Sequence, residues 1–446
     1  CKKFVDIDSP KTQLVSESVF KSDATATAAM LGIYSSLMNS NYSFINSQIT
    51  IQGGLSSDEL VDYSHELPYA ETYENSLSPD NSNVMVLWRD TFNYIYQSNA
   101  VIEGLTNNNN LTADTKSQLM GEAKFIRALC HFYLVNFFGD IPYIQSTDYK
   151  VNNTVSRLPA SDVYKLIIAD LKDSQTLLNE DYVDAQNNAY NSDPERIRPN
   201  KAAATALLAR VYLYTQDWAN AEAQSNSVIS NAAVYSLVPD LNEVFLKNSK
   251  EAIWQLMPVT PGINTPEGFQ LILTAAPGYF AISNDLLNSF EPDDNRKNDW
   301  IGQITDGTDT YYYPFKYKVI NSDNLTEYYM VLRLAEQYLI RAEARCQLND
   351  IAGAVGDVNV IRERAGLPDL PATLSQADCL AAIEKERRSE MFVEMGDRWL
   401  NLKRLNHADL VLQPLKSPNW QPTDVLYPVP QVQLIADVNM IQNPGY

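Results

Sequence analysis

Histidine is almost missing from this chain, with three in 446 residues. His131 lies inside the apolar run "RALCHFYLV", where packing or a hydrogen bond accounts for an imidazole better than catalysis does. His65 sits in a polar stretch and His407 just beyond a charged one, so none falls in HExxH or in clustered zinc spacing. GxSxG, a phosphate-binding glycine loop and a dinucleotide fingerprint are equally absent. "DDNRKND" looks briefly like a calcium loop, but the sixth position from Asp293 is Asn298 and the twelfth is Ile304. These patterns call for no cofactor and no metal. Cysteine is scarce as well: Cys130, Cys346 and Cys379 stand singly in helical patterns, which predicts buried free thiols. No apolar run reaches the ~18 residues that a membrane span needs. Positive charge is also in deficit, 34 Lys and Arg against 55 Asp and Glu, a formal net charge of -21. That balance argues against nucleic acid or anionic lipid as a main partner.

Helix is what the chain has in quantity. Apolar residues make up 45% and charged residues 20%, enough for an ordered fold with a large core. Apolar periodicity predicts helices over 18–39, 84–105, 115–138, 160–178, 201–215, 218–230, 329–348, 351–365 and 376–394. Ser161 and Asn200 stand where helix caps are wanted. "ARVYLYTQDWANA" (209–221) and "AEARCQLNDIAGA" (342–354) align without a gap, pairing Ala209 with Ala342, Asp217 with Asp350 and Ala221 with Ala354. Small residues let paired helices approach and a polar turn reverses the chain, the logic of a tetratricopeptide-type hairpin. The reading is of a helical scaffold over 18–39, 84–230 and 329–405, interrupted by polar insertions at 40–83 and 237–327 and followed by an irregular tail, 406–446. The longer insertion is too long to be structureless, which predicts short helices and a few strands.

The most crowded charged stretch is "EKERRSEMFVEMGDRWLNLKRLN" (384–406). Glu386, Glu390 and Glu394 share one helix face. Arg387 lies three before Glu390 and Glu384 four before Arg388, spacings that favour ion pairs along the helix. Glutamates held by arginines suit anchoring better than general acid work, so a scaffold is the favoured reading. Cys1, followed by "KKFVDIDSPK", leaves two readings open: an arbitrary boundary of the chain, or a lipidated cysteine left by signal cleavage.

Seven segments in order resemble the SusD/RagB family of Bacteroidetes outer-membrane lipoproteins, the surface glycan-binding partners of TonB-dependent transporters. They are "GEAKFIRALCHFYLVNFFGDIPYI" (121–144), "SRLPASDVYKLIIADL" (156–171), "RPNKAAATALLARVYLY" (198–214), "LRLAEQYLIRAEARCQLN" (332–349), "VNVIRERAGL" (358–367), "ERRSEMFVEMGDRWLNLKR" and the closing "LYPVPQVQL…NPGY". The resemblance implies a mostly α fold: a tetratricopeptide-like scaffold with a loop-rich second lobe. It assigns Glu386, Arg387, Glu390, Glu394, Gly396, Arg398, Trp399, Leu402 and Arg404 to a structural framework, with Asn401 standing where an aspartate is usual. It places Cys1 at the family's lipidated cysteine, and so implies a lipid-anchored outer-membrane protein that faces the exterior and is not an enzyme.

A sugar site of this kind is shallow and aromatic-lined, because sugar C–H faces stack on rings while polar groups take up the hydroxyls. The candidate platforms are Tyr69 and Tyr73 in the first insertion, and Trp300, Tyr311, Tyr312 and Tyr313 in the second. Asp58, Arg296 and Asp299 are candidate polar partners. Alternate tyrosines of "YYYPF" would point inward if the segment is a strand. Trp300 follows a polar run, so its indole needs a buried niche or a ligand to cover it; the expectation is that it lies on the glycan face. The implied function is binding of oligosaccharide or polysaccharide and its delivery to a TonB-dependent transporter. Rival readings are a helical-repeat adaptor for protein or peptide and, further off, a glycoside hydrolase with two opposed carboxylates.

Overall fold

The computed structural model describes residues 19–39 and 43–446. Cys1 lies outside the described residues. The chain opens with α1 (Asp23–Met38), capped by Ser22, whose side chain accepts from the Thr25 N–H. Segment 40–83, read as a polar insertion, contains α2 (Gln48–Ser56), β1 (Leu60–Asp62) and α3 (Leu67–Glu74). All nine residues of α2 are buried despite its two glutamines, so this part of the insertion belongs to the core.

A row of helices follows: α4 (Ser82–Leu105), α5 (Ala113–Phe138), the short α6 (Tyr149–Asn152), α7 (Ala160–Leu177), α8 (Lys201–Tyr214) and α9 (Trp218–Ile229). Next come β2 (Ala252–Leu256), α10 (Pro266–Leu271), β3 (Phe280–Ile282), α11 (Asn284–Leu287), α12 (Asn295–Asp299), β4 (Ile301–Asp306), β5 (Asp309–Pro314) and β6 (Tyr329–Arg333). The strands form three two-stranded antiparallel sheets, β1–β3, β2–β6 and β4–β5. The chain closes with α13 (Leu334–Gln347), α14 (Ile351–Arg364), α15 (Gln376–Met391), α16 (Asp397–Arg404), α17 (Ala408–Lys416) and α18 (Gln431–Ala436). The fold is mostly α on a tetratricopeptide-like scaffold, as expected.

The two aligned segments prove to be one motif built twice. Gln216 and Asn349 both take a left-handed φ, of 58° and 68°. The next residues, Asp217 and Asp350, cap α9 and α14 by accepting from the N–H groups of Asn220 and Gly353. The hairpins α8–α9 and α13–α14 then stack, with α9 packed between α8 and α13. Distant segments therefore become neighbours in one helical row.

Three expected helices are shorter than predicted, the first of them spanning Asp23–Met38 against the expected 18–39. Tyr329–Arg333 is a strand pairing with Ala252–Leu256, because a fully buried apolar run carries no period that separates strand from helix. The helix predicted over 376–394 ends at Met391; beyond it Val393 and Met395 both take φ of 49°. The three single cysteines are buried free thiols. His131 is buried, with Nδ1 2.8 Å from the Arg127 carbonyl and Nε2 accepting from Ile144 N–H at 3.2 Å. Burial pushes its pKa down to about 3, so the imidazole is a neutral structural residue.

Candidate functional site

The charged stretch is a buried framework whose partners come from far along the chain. Glu390 on α15 receives Arg333 at 2.6 Å, Arg296 at 3.0 Å and Arg364. Glu386 holds Arg296 at 2.7 Å and Arg362 at 3.2 Å, while Glu394 holds Arg333 at 2.7 Å and Lys316. Burial opposes ionisation of Glu390, yet Arg364, Arg333 and Arg296 hold its pKa well below the carboxylate range. The intrahelical pairs expected from spacing do not form. Arg387 turns instead to Asp397 and Glu336, Arg388 to Asp58, and Glu384 to Arg398 and His407. Buried guanidinium groups need several fixed acceptors, and converging elements supply these better than one helix face. Trp399 and Leu402 are fully buried, Arg404 pairs with Glu343 at 2.6 Å, and Asn401 keeps a hydrogen bond to Arg404.

Three candidate sugar contacts belong to this framework, not to an open face. Trp300 is 0% exposed. Its indole N–H donates to the Leu241 carbonyl at 2.8 Å, and Lys316, Arg364 and Arg333 cover the ring at 4.8, 5.7 and 5.9 Å from its centroid. The polar run before it is split: Asp293, Asn295, Lys297 and Asn298 face solvent, while Asp294 and Arg296 turn inward and bond each other at 2.8 Å. The indole is the apolar roof of the ion-pair network. Arg296 is likewise buried. Asp58 is buried beneath Arg388 and Arg398, at 2.6 and 2.8 Å. Asp299 is half-buried and its carbonyl accepts from Lys318.

The tyrosines sort themselves by strand geometry. On β5, Tyr312 packs against the core. Tyr313 lies over Gly302 of β4, where a Cβ would sit 2.3 Å from the ring. Tyr311, on the same face as Tyr313, meets Tyr63 edge-to-face with centroids 5.6 Å apart. Tyr69 is buried beneath Tyr279 and Phe280, at 6.2 and 5.1 Å. Tyr73, one turn further along α3, is half-buried with Lys416 Nζ 5.1 Å from its ring centre.

Two residues that the sequence reading passed over complete the group. The Tyr63 N–H donates to the Tyr279 carbonyl at 2.7 Å, continuing the β1–β3 ladder by one pair. This sets the two tyrosines opposite each other on one side of the ladder, 37% and 43% exposed. The Tyr279 hydroxyl donates to Glu66 at 3.2 Å. Tyr63, Tyr279 and Tyr311 thus form an aromatic face supplied by three segments, with Tyr69 and Tyr73 supporting it from α3. Such a face offers rings to sugar C–H surfaces and phenols to hydroxyls. The available signals were a tyrosine among polar neighbours in "DYSHE" and one after a Pro-Gly turn in "PGYFA"; the pairing across strands was not visible.

The sequence and fold have relatives. A family model described as "Starch-binding associating with outer membrane" matches residues 3–213, and one described as "SusD family" matches residues 287–446. The chain belongs to the SusD/RagB family. SusD-like protein P2 of Formosa agariphila is 27% identical over 98% of this chain and 96% of its own. Among solved structures, a SusD superfamily protein from Bacteroides vulgatus superposes with a TM-score of 0.83 at 19% identity, covering 96% of this chain and 100% of its own. A laminarin binding SusD-like protein gives 0.76 at 22% identity, over 94% and 99% of the two chains. Surface glycan-binding protein A of Bacteroides fluxus gives 0.77 at 22%, over 95% and 99%. At these identities the superpositions show a shared fold.

Proposed function

We propose that this SusD/RagB protein binds oligosaccharide or polysaccharide on the Tyr63–Tyr279–Tyr311 face and passes it to a TonB-dependent transporter. The observation that carries the reading is the gathering of these partly exposed rings, from three separate segments, on the strand-bearing side of a SusD-type fold. Solved relatives named for laminarin and for surface glycan binding support the ligand class. The carboxylates whose pKa burial pushes into the acid-catalyst range, Glu59 at about 8 and Glu267 and Glu327 at about 7, are shut inside the protein, which favours binding over hydrolysis. Replacing Tyr63 and Tyr311 together by alanine weakens glycan binding about tenfold or more, with little change in melting temperature. Calorimetric titration with a glycan identified on an array measures this, and unchanged affinity would exclude the face.

A protein partner has its own support. Val432, Ile435, Val438 and Ile441 are exposed apolar side chains of the tail, beside a cleft of about 360 Å³ lined by Trp88, Phe92, Tyr96 and Met440. Apolar surface of this kind is usually covered by another protein. We assign it to the transporter, and Ile435→Glu with Val438→Glu should abolish co-purification with it. Among the described residues no helix is long and apolar enough to cross a membrane. Attachment through acyl groups on Cys1 is the anchor we propose, tested by mass spectrometry of membrane-extracted protein.

A further inference from the structure

The aromatic face is rimmed by carboxylates. Glu66 accepts the Tyr279 hydroxyl, while Asp62, next to Tyr63 in sequence, is buried and accepts from the Ser64 N–H and hydroxyl. Asp309, exposed at the start of β5, acts electrostatically on Tyr63; the phenol is pushed up by burial first, then by Tyr311 and Asp309. Tyr73 is raised in the same sense, by burial first and then by Tyr63, Asp285, Asp62 and Glu74. Among the described residues, two cations near this side are already engaged. Lys416 Nζ donates to the carbonyls of Leu55 and Tyr73, and Arg388 is tied to Asp58. Neither presents a free charge to a ligand on the rings. His65 is exposed in the turn after Tyr63. The whole chain adds a background of -21. A polyanion approaching these rings meets repulsion, with both of these described cations already engaged and only short-range screening by salt.

We propose that this face selects uncharged oligosaccharides against uronate- or sulfate-bearing ones, with Asp309 and Glu66 as the specificity-determining side chains. The inference rests on the glycan-binding reading above and fixes the substrate class within it. Like-charge juxtaposition of this kind discriminates by penalising the wrong ligand without adding a contact to the right one.

The test uses affinity electrophoresis of the full chain at pH 8, in 20 and 300 mM NaCl, on gels holding laminarin, mannan, galactan, alginate, polygalacturonate or heparin. Any neutral polymer that retains the protein is also offered after oxidation of its C6 hydroxymethyl groups to carboxylates, which keeps the backbone and adds charge. The expected result is retention on at least one neutral polymer, lost in the Tyr63→Ala/Tyr311→Ala variant. The oxidised form is held at least fivefold more weakly in 20 mM NaCl, and the difference narrows at 300 mM. In Asp309→Asn/Glu66→Gln the ratio of neutral to oxidised binding falls at least threefold. Tyrosine-dependent retention on an anionic polymer, as strong as on a neutral one, overturns the charge selection and leaves the glycan site standing. Retention insensitive to the tyrosine variant, or none on any polymer, overturns the site and the selection together.

Discussion

At the scale of single residues, Glu390 and Trp300 both belong to the buried framework, the first as the reading of its charged stretch predicts and the second against expectation. Glu390 sits in a strongly charged stretch yet is buried among three arginines, and Trp300 follows a polar run yet roofs the same cluster. Removing the Glu390 carboxylate strands those arginines in a low-dielectric site, which costs about 3–5 kcal/mol. Glu390→Ala should therefore lower stability by that amount in chemical denaturation, while the surviving folded fraction binds glycan as before. Trp300→Ala should behave alike, losing about 3–5 kcal/mol through the cavity it leaves. Selective loss of glycan binding at unchanged stability in either variant would return that residue to the ligand site.

At the scale of elements, the link between α15 and α16 is the tightest piece of construction. Val393 and Met395 hold left-handed backbone, unusual for a β-branched residue, and each N–H is answered from elsewhere. Val393 N–H donates to Glu59 at 3.1 Å and Met395 N–H to the Thr50 hydroxyl at 3.0 Å. Gly396, at φ 68°, then starts α16 with its backbone against Gly53 of α2. A Cβ on Gly53 would lie 2.5 Å from the Gly396 Cα, a contact that backbone must move to relieve. Gly53→Ala should cost about 2 kcal/mol or more in an unfolding titration, although the residue is helical and alanine normally favours helix. A stabilising outcome would mean that α2 and α16 can slide apart.

At the scale of the whole molecule, buried ionisable groups set how stability follows pH. Burial, then the neighbouring Asp58, raises Glu59 to about 8, and one of its carboxyl oxygens has no partner. Glu267 rises to about 7, again through burial first. A carboxyl raised in the folded state contributes stability that is complete below its unfolded pKa and is lost as pH climbs through the folded one. Lys403 and Lys416 are lowered to about 7 by burial, so above that pH the unfolded chain binds the more protons and stability recovers. His131, lowered to about 3, works against the carboxyl-driven fall below about 6.5, but the raised carboxyls Glu59, Glu267 and Glu327 outnumber it. Melting temperature should therefore fall from pH 5 to 7 and level off or rise from 8 to 9. Glu59→Gln keeps an acceptor for Val393 and should flatten the fall. An unchanged slope in that variant would show that Glu59 is ionised throughout.

The helical class, the paired hairpins around Asp217 and Asp350, and the family motifs were legible in the sequence, because each rests on local period, caps and spacing. The same local logic misled at Tyr329–Arg333, where an unbroken apolar run reads equally as helix or strand until Ala252–Leu256 pairs with it. It misled at Trp300 and Arg296 too, since a charged run looks solvated until its partners Glu386 and Glu390 arrive from another helix. The candidate site was half visible. Tyr311 could be named from composition, but its neighbours Tyr63 and Tyr279 are joined to it only by strand pairing and by the hairpin lying across them. Local residue order determines which elements form; burial and long-range pairing decide which charged groups and which aromatic rings are left facing water.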